Sequence, residues 1–330
     1  MFVKRKFGAG QLTRLSENIA GSLSYQVVFT VDLLRVGSTS LETEIEKEMA
    51  AYTPDPELSK ILTKLWEMDD NKCYPGEDYD IELQGFVKST RDVSRDFARE
   101  HLIQDLDEDK IFGRKTYGAF RKLLDNYEME CNEQENITWE EKQENYEFLD
   151  AIMETDVMKE AHQYLVSEGK ASSDEYDFKR QLHDIWFRMY RRKGCRGNDS
   201  SSFEHVFVGE GRGDDMIGLH NWLQFYLQEK AGYINYNGYF RRETVKNDEY
   251  PRLIALQFTW RGEKAKPMCS CFLGTSPEFE IAAYTVALLM GYDGTTDCQI
   301  GEYETEVTVH SFGGYHKKLS TAYITAARMF

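Results

Sequence analysis

"FEHVFVGEGRGDDMIGLHNW", from Phe203 to Trp222, carries two of the chain's seven histidines on either side of a glycine-rich, acidic connection. "FEHVFVG" is short, alternating and rich in Val and Phe, which predicts a strand. Alternation would set Phe203, His205 and Phe207 on one face and Glu204, Val206 and Val208 on the other. "IGLHNWLQFYLQEKAG" places Leu219, Trp222, Leu223 and Tyr226 at helical spacing, so a helix is expected with His220 in its first turn. Unpaired N–H groups and the positive end of the helix dipole disfavour a charged ring there, which makes His220 a neutral base near pH 7. The stretch between them is too irregular for a dinucleotide fingerprint and reads as a loop that folds the two elements together.

The texture differs on the two sides of this stretch. Upstream, "PELSKILTKLWEMDD" sets Leu58, Ile61, Leu62 and Leu65 at helical spacing after a proline. "TWEEKQENYEFLDAIM" opens with Thr138 and Glu141 at capping-box spacing, and "DEYDFKRQLHDIWFRMY" continues in the same style. Downstream, "RLIALQFTW", "KPMCSCFLG", "TEVTVH" and "STAYITA" read as strands, interrupted by helical patterns over 219–230 and 277–290. The expected class is α+β, a helical N-terminal lobe followed by a sheet-rich catalytic lobe with antiparallel strands. Residues 1–50 read as a separate arm, 51–194 as the helical lobe and 195–330 as the α+β lobe; the first 40 residues hold five Lys/Arg against two acids.

With 330 residues, 41% of them hydrophobic and 13% aromatic, the chain can bury a sizeable core and is not of the disordered class. A formal net charge of −17 excludes blanket nucleic-acid binding and leaves room for a local basic patch. None of the six cysteines forms a CxxC pair, which argues against a cysteine-rich zinc site and suits a reducing compartment. The longest apolar run, Ile281 to Met290, is about half a membrane span. The basic start "MFVKRKFGAG" is followed by polar residues where a signal peptide needs an apolar core. An intracellular protein, cytoplasmic or nuclear, with no transmembrane segment is expected.

Other chemistry-bearing residues cluster in motif. On a strand beginning at Lys266, Ser270 shares the lysine's face while Cys269 and Cys271 face away. Thr321, Tyr323 and Thr325 share one face of "LSTAYITAA". Glu204 and Glu210 bracket His205 and either hold a ring or loop in place or bind a cation. "FRMYRRKGCRG" brings Arg188, Arg191, Arg192, Lys193 and Arg196 together without an acid, a solvated helix end or a phosphate track. Asp105, Asp107 and Asp109 offer alternate carboxylates to a hard cation such as calcium, although an acidic loop is more often simply solvated. Two histidines and a lysine suit RNA cleavage by its own 2′-hydroxyl: His220 as base, His205 as acid to the 5′-oxygen, Lys266 as the cation for the phosphate.

"FEHVFVGE", "GLHNWLQFYLQEK", "KP" followed by "SCFLGTSPEFE", and the terminal tyrosine strand resemble the poly(U)-specific endoribonuclease (EndoU) family, from about Pro56 to the C-terminus. A more distant similarity is to the coronaviral uridylate-specific endoribonuclease. The resemblance implies cleavage of single-stranded, U-rich RNA on the 3′ side of uridines, leaving a 2′,3′-cyclic phosphate and a 5′-hydroxyl, with dependence on manganese or calcium; a monomer is expected. It matches His205, His220 and Lys266 to the catalytic set, with Lys266 preferred to Lys264 because Ser270 stands four residues on. It matches Ser270, Thr321 and Tyr323 to positions that contact uracil or support the sugar, and Glu204 and Glu210 to acids needed for activity. Two other classes compete. One is a non-catalytic RNA-binding module. The other is a metal-dependent phosphodiesterase that uses water, with His205, Glu210 and His220 as ligands; the product ends discriminate.

Overall fold

Helices fill the first half of the chain in a computed structural model that describes residues 52–91, 93–127, 138–191, 198–240, 251–313 and 318–327. The arm expected over 1–50 lies outside these residues, as do Arg192, Lys193 and Arg196. Helix α1 (Pro56–Glu67) starts at Asp55, whose carboxylate accepts from Glu57 N and Leu58 N, and it buries Leu58, Ile61, Leu62 and Leu65. Helices α2 (Glu108–Phe112) and α3 (Lys115–Leu123) follow. Helix α4 (Trp139–Met153) has both halves of its capping box: Glu141 N donates to Thr138 Oγ1 at 3.1 Å and Thr138 N to Glu141 Oε2 at 2.7 Å. Helices α5 (Asp156–Ser167) and α6 (Glu175–Trp186) complete this half. Between α1 and α2 run the short strands β1 (Asp80–Ile81), β2 (Phe86–Val87) and β3 (Ile103–Gln104).

The second half is sheet. Strands β4 (Glu210–Arg212), β5 (Asp215–Ile217), β6 (Ile234–Phe240), β7 (Leu253–Trp260) and β8 (Lys264–Phe272) join β2 in six strands ordered β2-β6-β7-β8-β5-β4. A second sheet, β11-β10-β9, holds β9 (Gly294–Ile300), β10 (Tyr303–Phe312) and β11 (Lys318–Ala326). Most pairings are antiparallel as expected; β2 with β6 and β5 with β8 run parallel. Helix α7 (Trp222–Lys230) lies between β5 and β6. Helix α8 (Pro277–Met290) is buried on every side from Pro277 to Leu288. It packs on α1, α3 and α5 from the helical half and on β10 and β11 from the sheet half. That is why "IAAYTVALLM" lacks a polar stripe. One core thus runs from Leu58 to Ala326. No helix among the described residues is long and apolar enough to cross a membrane.

Three local expectations fail, each for a physical reason. Glu204–Val208 is a π-helical turn rather than a strand, closed by Gly209 N donating to Glu204 O at 2.8 Å. Phe203 and Phe207 are four apart, so they share a side in a strand and in a helical turn alike. The decision comes from Ser201, whose hydroxyl accepts from Glu204 N at 3.0 Å while the Glu204 carboxylate accepts from Ser201 N at 3.2 Å. Likewise, His220 lies before helix α7 rather than in its first turn. Asn221 caps that helix, accepting from Leu223 N and Gln224 N at 3.0 Å each. The third failure is in β8. Leu256 pairs with Cys269 and Phe258 with Lys266, so Gln257 faces two residues, Pro267 and Met268. The bulge shifts the alternation, and Lys266 and Cys269 come to reach adjacent carbonyls on the same neighbouring segment.

Candidate active site

Residues 218–220 hold the site together. Leu219 N donates to His205 O at 3.0 Å and His220 N to Val206 O at 2.8 Å, a short main-chain pairing that locks the two histidine segments side by side. Gly218 makes the approach possible: its φ is +67°, and a Cβ there would sit 1.8 Å from His205 O. Leu219 also takes a positive φ, +56°, a strained conformation for a branched side chain and one characteristic of functional sites. On the other side of the segment, Lys266 Nζ donates to Gly218 O at 2.7 Å and Cys269 Sγ to Leu219 O at 2.8 Å. The π turn, the 218–220 segment and bulged β8 therefore meet through four backbone atoms of residues 218–220, namely Gly218 O, Leu219 N, Leu219 O and His220 N.

His205 and His220 are each about nine-tenths buried. His205 Nδ1 contacts Glu210 Oε2 at 2.8 Å, and Ser200 Oγ donates to the other Glu210 oxygen. The pair is an ion pair when the ring is protonated, the state a general acid needs. His220 Nδ1 donates to Ser270 O at 3.2 Å, which fixes the tautomer with the lone pair on Nε2. Burial holds the His220 pKa below the ordinary histidine value, and the neighbouring Lys266 adds to the effect. The lowered His220 pKa expected from the sequence has burial as its first cause here, with the ring just outside helix α7 rather than in its first turn. Lys266 is equally buried, and burial pulls its amine below its ordinary value. As an ammonium, Lys266 places one hydrogen on Gly218 O and has two more.

Strand β11 closes the site. The Tyr323 ring stacks on His220 with centroids 4.6 Å apart and planes at 22°. Thr321 stands two residues away on the same face of β11, partly buried like Tyr323. Ser202 Oγ donates to Leu319 O at 3.0 Å, which ties β11 to the start of the π turn. The structure thus brings His205, Glu210, His220, Lys266, Ser270 and Tyr323 into one linked set. Ser270 belongs through its carbonyl; it does not share the face of Lys266, because the bulge intervenes. Arg188 and Arg191 are exposed. Lys318 Nζ donates to Arg188 O and Met189 O at 3.4 Å each, so this basic run adjoins the start of β11.

Three of the five acids expected to hold a cation have other partners in the structure. Glu204 caps the π turn and Glu210 supports His205. Asp107 caps α2 by accepting from Lys110 N at 3.1 Å, Asp109 lies in that helix's first turn, and Asp105 is exposed. Among the described residues no three His, Cys, Asp or Glu side chains are grouped to hold a metal ion.

The residues that sequence reasoning missed are supporters: Ser200, Ser201, Gly218, Asn221 and Cys269. Two had legible signals. Ser201 and Glu204 stand at capping-box spacing, and Asn221 precedes an apolar helical run.

The chain matches the family described as Endoribonuclease XendoU over residues 57–324. The poly(U)-specific endoribonuclease of Xenopus tropicalis is 46% identical over 274 residues, 81% of this chain and 92% of that protein. Uridylate-specific endoribonuclease C of Danio rerio is 44% identical over 84% of this chain and 90% of its own. The solved structure of XendoU, described as a splicing-independent snoRNA-processing endoribonuclease, superposes with a TM-score of 0.73 at 43% identity, covering 84% of this chain and all of that one.

Proposed function

The chain belongs to the endoribonuclease XendoU family, and from that premise we propose that it cleaves single-stranded, U-rich RNA at uridines by attack of the 2′-hydroxyl on the adjacent phosphate. His220 Nε2 takes the 2′-hydroxyl proton, and O2′ forms a bond to phosphorus as the bond to the 5′-oxygen breaks. His205 delivers a proton to that leaving oxygen. The Lys266 ammonium balances the charge that grows on the phosphate oxygens. The products are a 2′,3′-cyclic phosphate and a 5′-hydroxyl. The observation that carries this reading is that both rings are anchored through Nδ1, one on a carboxylate and one on a carbonyl. A ring with a carboxylate partner is suited to hold a proton, and a buried neutral ring beside a lysine is suited to take one.

Substrate contacts are assigned to β11 and its surroundings. One face of Tyr323 is taken by His220, so the base or sugar meets its other face or edge. Thr321 is the polar group next to it, Ser270 borders the His220 ring on which Tyr323 stacks, and Arg188, Arg191 and Arg192 meet the RNA backbone. Manganese or calcium, on this reading, acts outside the chemical step by neutralising the acid-dense surface that RNA must approach.

The test is a set of single variants, His205→Ala, His220→Ala and Lys266→Ala, assayed on uridine-containing oligonucleotides after circular dichroism confirms folding. Each should lose at least about a thousandfold in kcat/KM, the scale of a lost general acid, base or charge stabiliser. Near-normal turnover by a folded histidine variant contradicts the assignment.

A further inference from the structure

Glu280, in the first turn of α8, is 1% exposed and has no part in the chemistry above. Its Oε2 lies 3.1 Å from Asn221 Nδ2 and its Oε1 2.7 Å from Thr275 Oγ1. The orientation of the Asn221 amide is forced: its oxygen caps α7 by accepting from Leu223 N and Gln224 N, so its nitrogen faces Glu280 and Oε2 must accept. Thr275 has one hydroxyl hydrogen and two oxygens in reach, Phe272 O at 2.9 Å and Glu280 Oε1 at 2.7 Å. A carbonyl and an ionised carboxylate can each only accept, so the single hydroxyl hydrogen cannot serve both. A hydrogen on Glu280 removes the conflict: Thr275 then donates to Phe272 O and accepts from the carboxyl.

We propose that Glu280 is a positioning residue for His220, held as a neutral carboxylic acid that donates to Thr275 and accepts from Asn221. This rests on the reading of His220 as the base. Asn221 is the next residue after His220, is itself buried, and starts the helix from which the 218–220 segment departs. Thr275 belongs to the same junction, since its carbonyl accepts from Trp222 Nε1 at 2.9 Å. Glu280 thereby joins the start of α7 to the β8–α8 connection, one residue along the chain from His220, whose ring stacks on Tyr323.

The surroundings agree with the hydrogen count. Among the described residues, the groups that act on Glu280 electrostatically are Asp69, from the segment after α1, Cys271 on β8 and Tyr284 one turn along α8, none of them a cation. Burial pushes the Glu280 carboxyl up to about 7, against the pull of the Thr275 and Asn221 hydrogen bonds. The unfolded chain gives up this proton near 4.5, the folded one only near 7, so unfolding releases a proton between those values and the wild type loses stability as pH rises through that window.

The experiment compares Glu280→Gln and Glu280→Ala in the full chain. Glutamine reproduces the neutral acid, with an N–H for Thr275 and a carbonyl for Asn221. E280Q should keep kcat within about threefold of wild type, while E280A should drop it about tenfold or more with KM little changed. In chemical denaturation between pH 5 and 8, E280Q should show a smaller fall in stability with rising pH than the wild type. That arm does not depend on the role of His220, so it separates failure of this inference from failure of the catalytic reading. E280Q as impaired as E280A means a carboxylate is required and overturns the proposal, as does an E280Q stability slope equal to that of the wild type. If E280A does not fold, E280Q decides through both readouts.

Discussion

At His220, burial and the Lys266 charge both lower the ring's pKa, and the carbonyl of Ser270 fixes which nitrogen has the lone pair. A base whose pKa lies below the ordinary 6.5 stays competent as pH falls, so the acidic limb of kcat/KM should lie below that value. Lys266→Met removes the charge and keeps much of the stem. It should move the limb upward in the residual activity, and a pH–rate profile checks the shift. An unmoved limb would mean that the lysine does not act on the histidine. Thr321→Val, which keeps shape and loses the hydroxyl, should reduce uridine-over-cytidine discrimination by about tenfold, the scale of one lost polar contact. Tyr323→Phe should preserve the stack on His220 and most of kcat, whereas Tyr323→Ala should lose it; competition cleavage of U- and C-containing oligonucleotides reports both. The residue types at the centre were legible because proton transfer to and from oxygen needs few side chains. The supporting atoms were not, because backbone carbonyls such as Gly218 O, Leu219 O and Ser270 O have no letter in a sequence.

The π turn shows how an element escapes such a reading. Phe203 and Phe207 pack on Phe120 with centroids 5.6 and 5.4 Å apart, an arrangement equally compatible with a strand. Only the Ser201–Glu204 pair distinguishes the two. Ser201→Ala should therefore cost about 1 kcal/mol and also lower activity, because the turn that carries His205 begins there. Thr138→Ala, at the same kind of cap on α4, should cost a similar amount and leave kcat alone. Equal activity losses in the two variants, measured beside equilibrium unfolding, would show only a global stability effect. The β8 bulge was illegible for another reason. Its extra residue is defined by what β7 places opposite, and a single strand contains no trace of its partner's register. Helices α1, α4 and α8 were readable because caps and spacing are local.

Across the whole molecule, acid and base are unevenly shared: the net charge is −17, yet Arg188, Arg191 and Lys318 gather where β11 begins. Arg188→Ala should raise KM across all RNA sequences and reduce the salt slope of binding by about one, with base preference unchanged. Chelator should weaken RNA binding together with cleavage, and calcium, a poor activator of water, should restore both. Restored binding without cleavage would place a metal in the reaction and contradict the proposed division of labour. The α+β class was legible at this scale because periodicity changes from helical to alternating along the chain. That one core joins both halves through α8 was legible only in part, as an apolar run without a polar face.

The measurement that tests the central claim most directly uses two matched oligonucleotides, one with uridine and one with 2′-deoxyuridine at the scission site, and identifies the product ends by mass spectrometry. Cleavage by the 2′-hydroxyl with His220, His205 and Lys266 predicts a 2′,3′-cyclic phosphate and a 5′-hydroxyl from the first, and an intact second. Cutting of the deoxyuridine substrate, or products with a 5′-phosphate and 3′-hydroxyl, would contradict it.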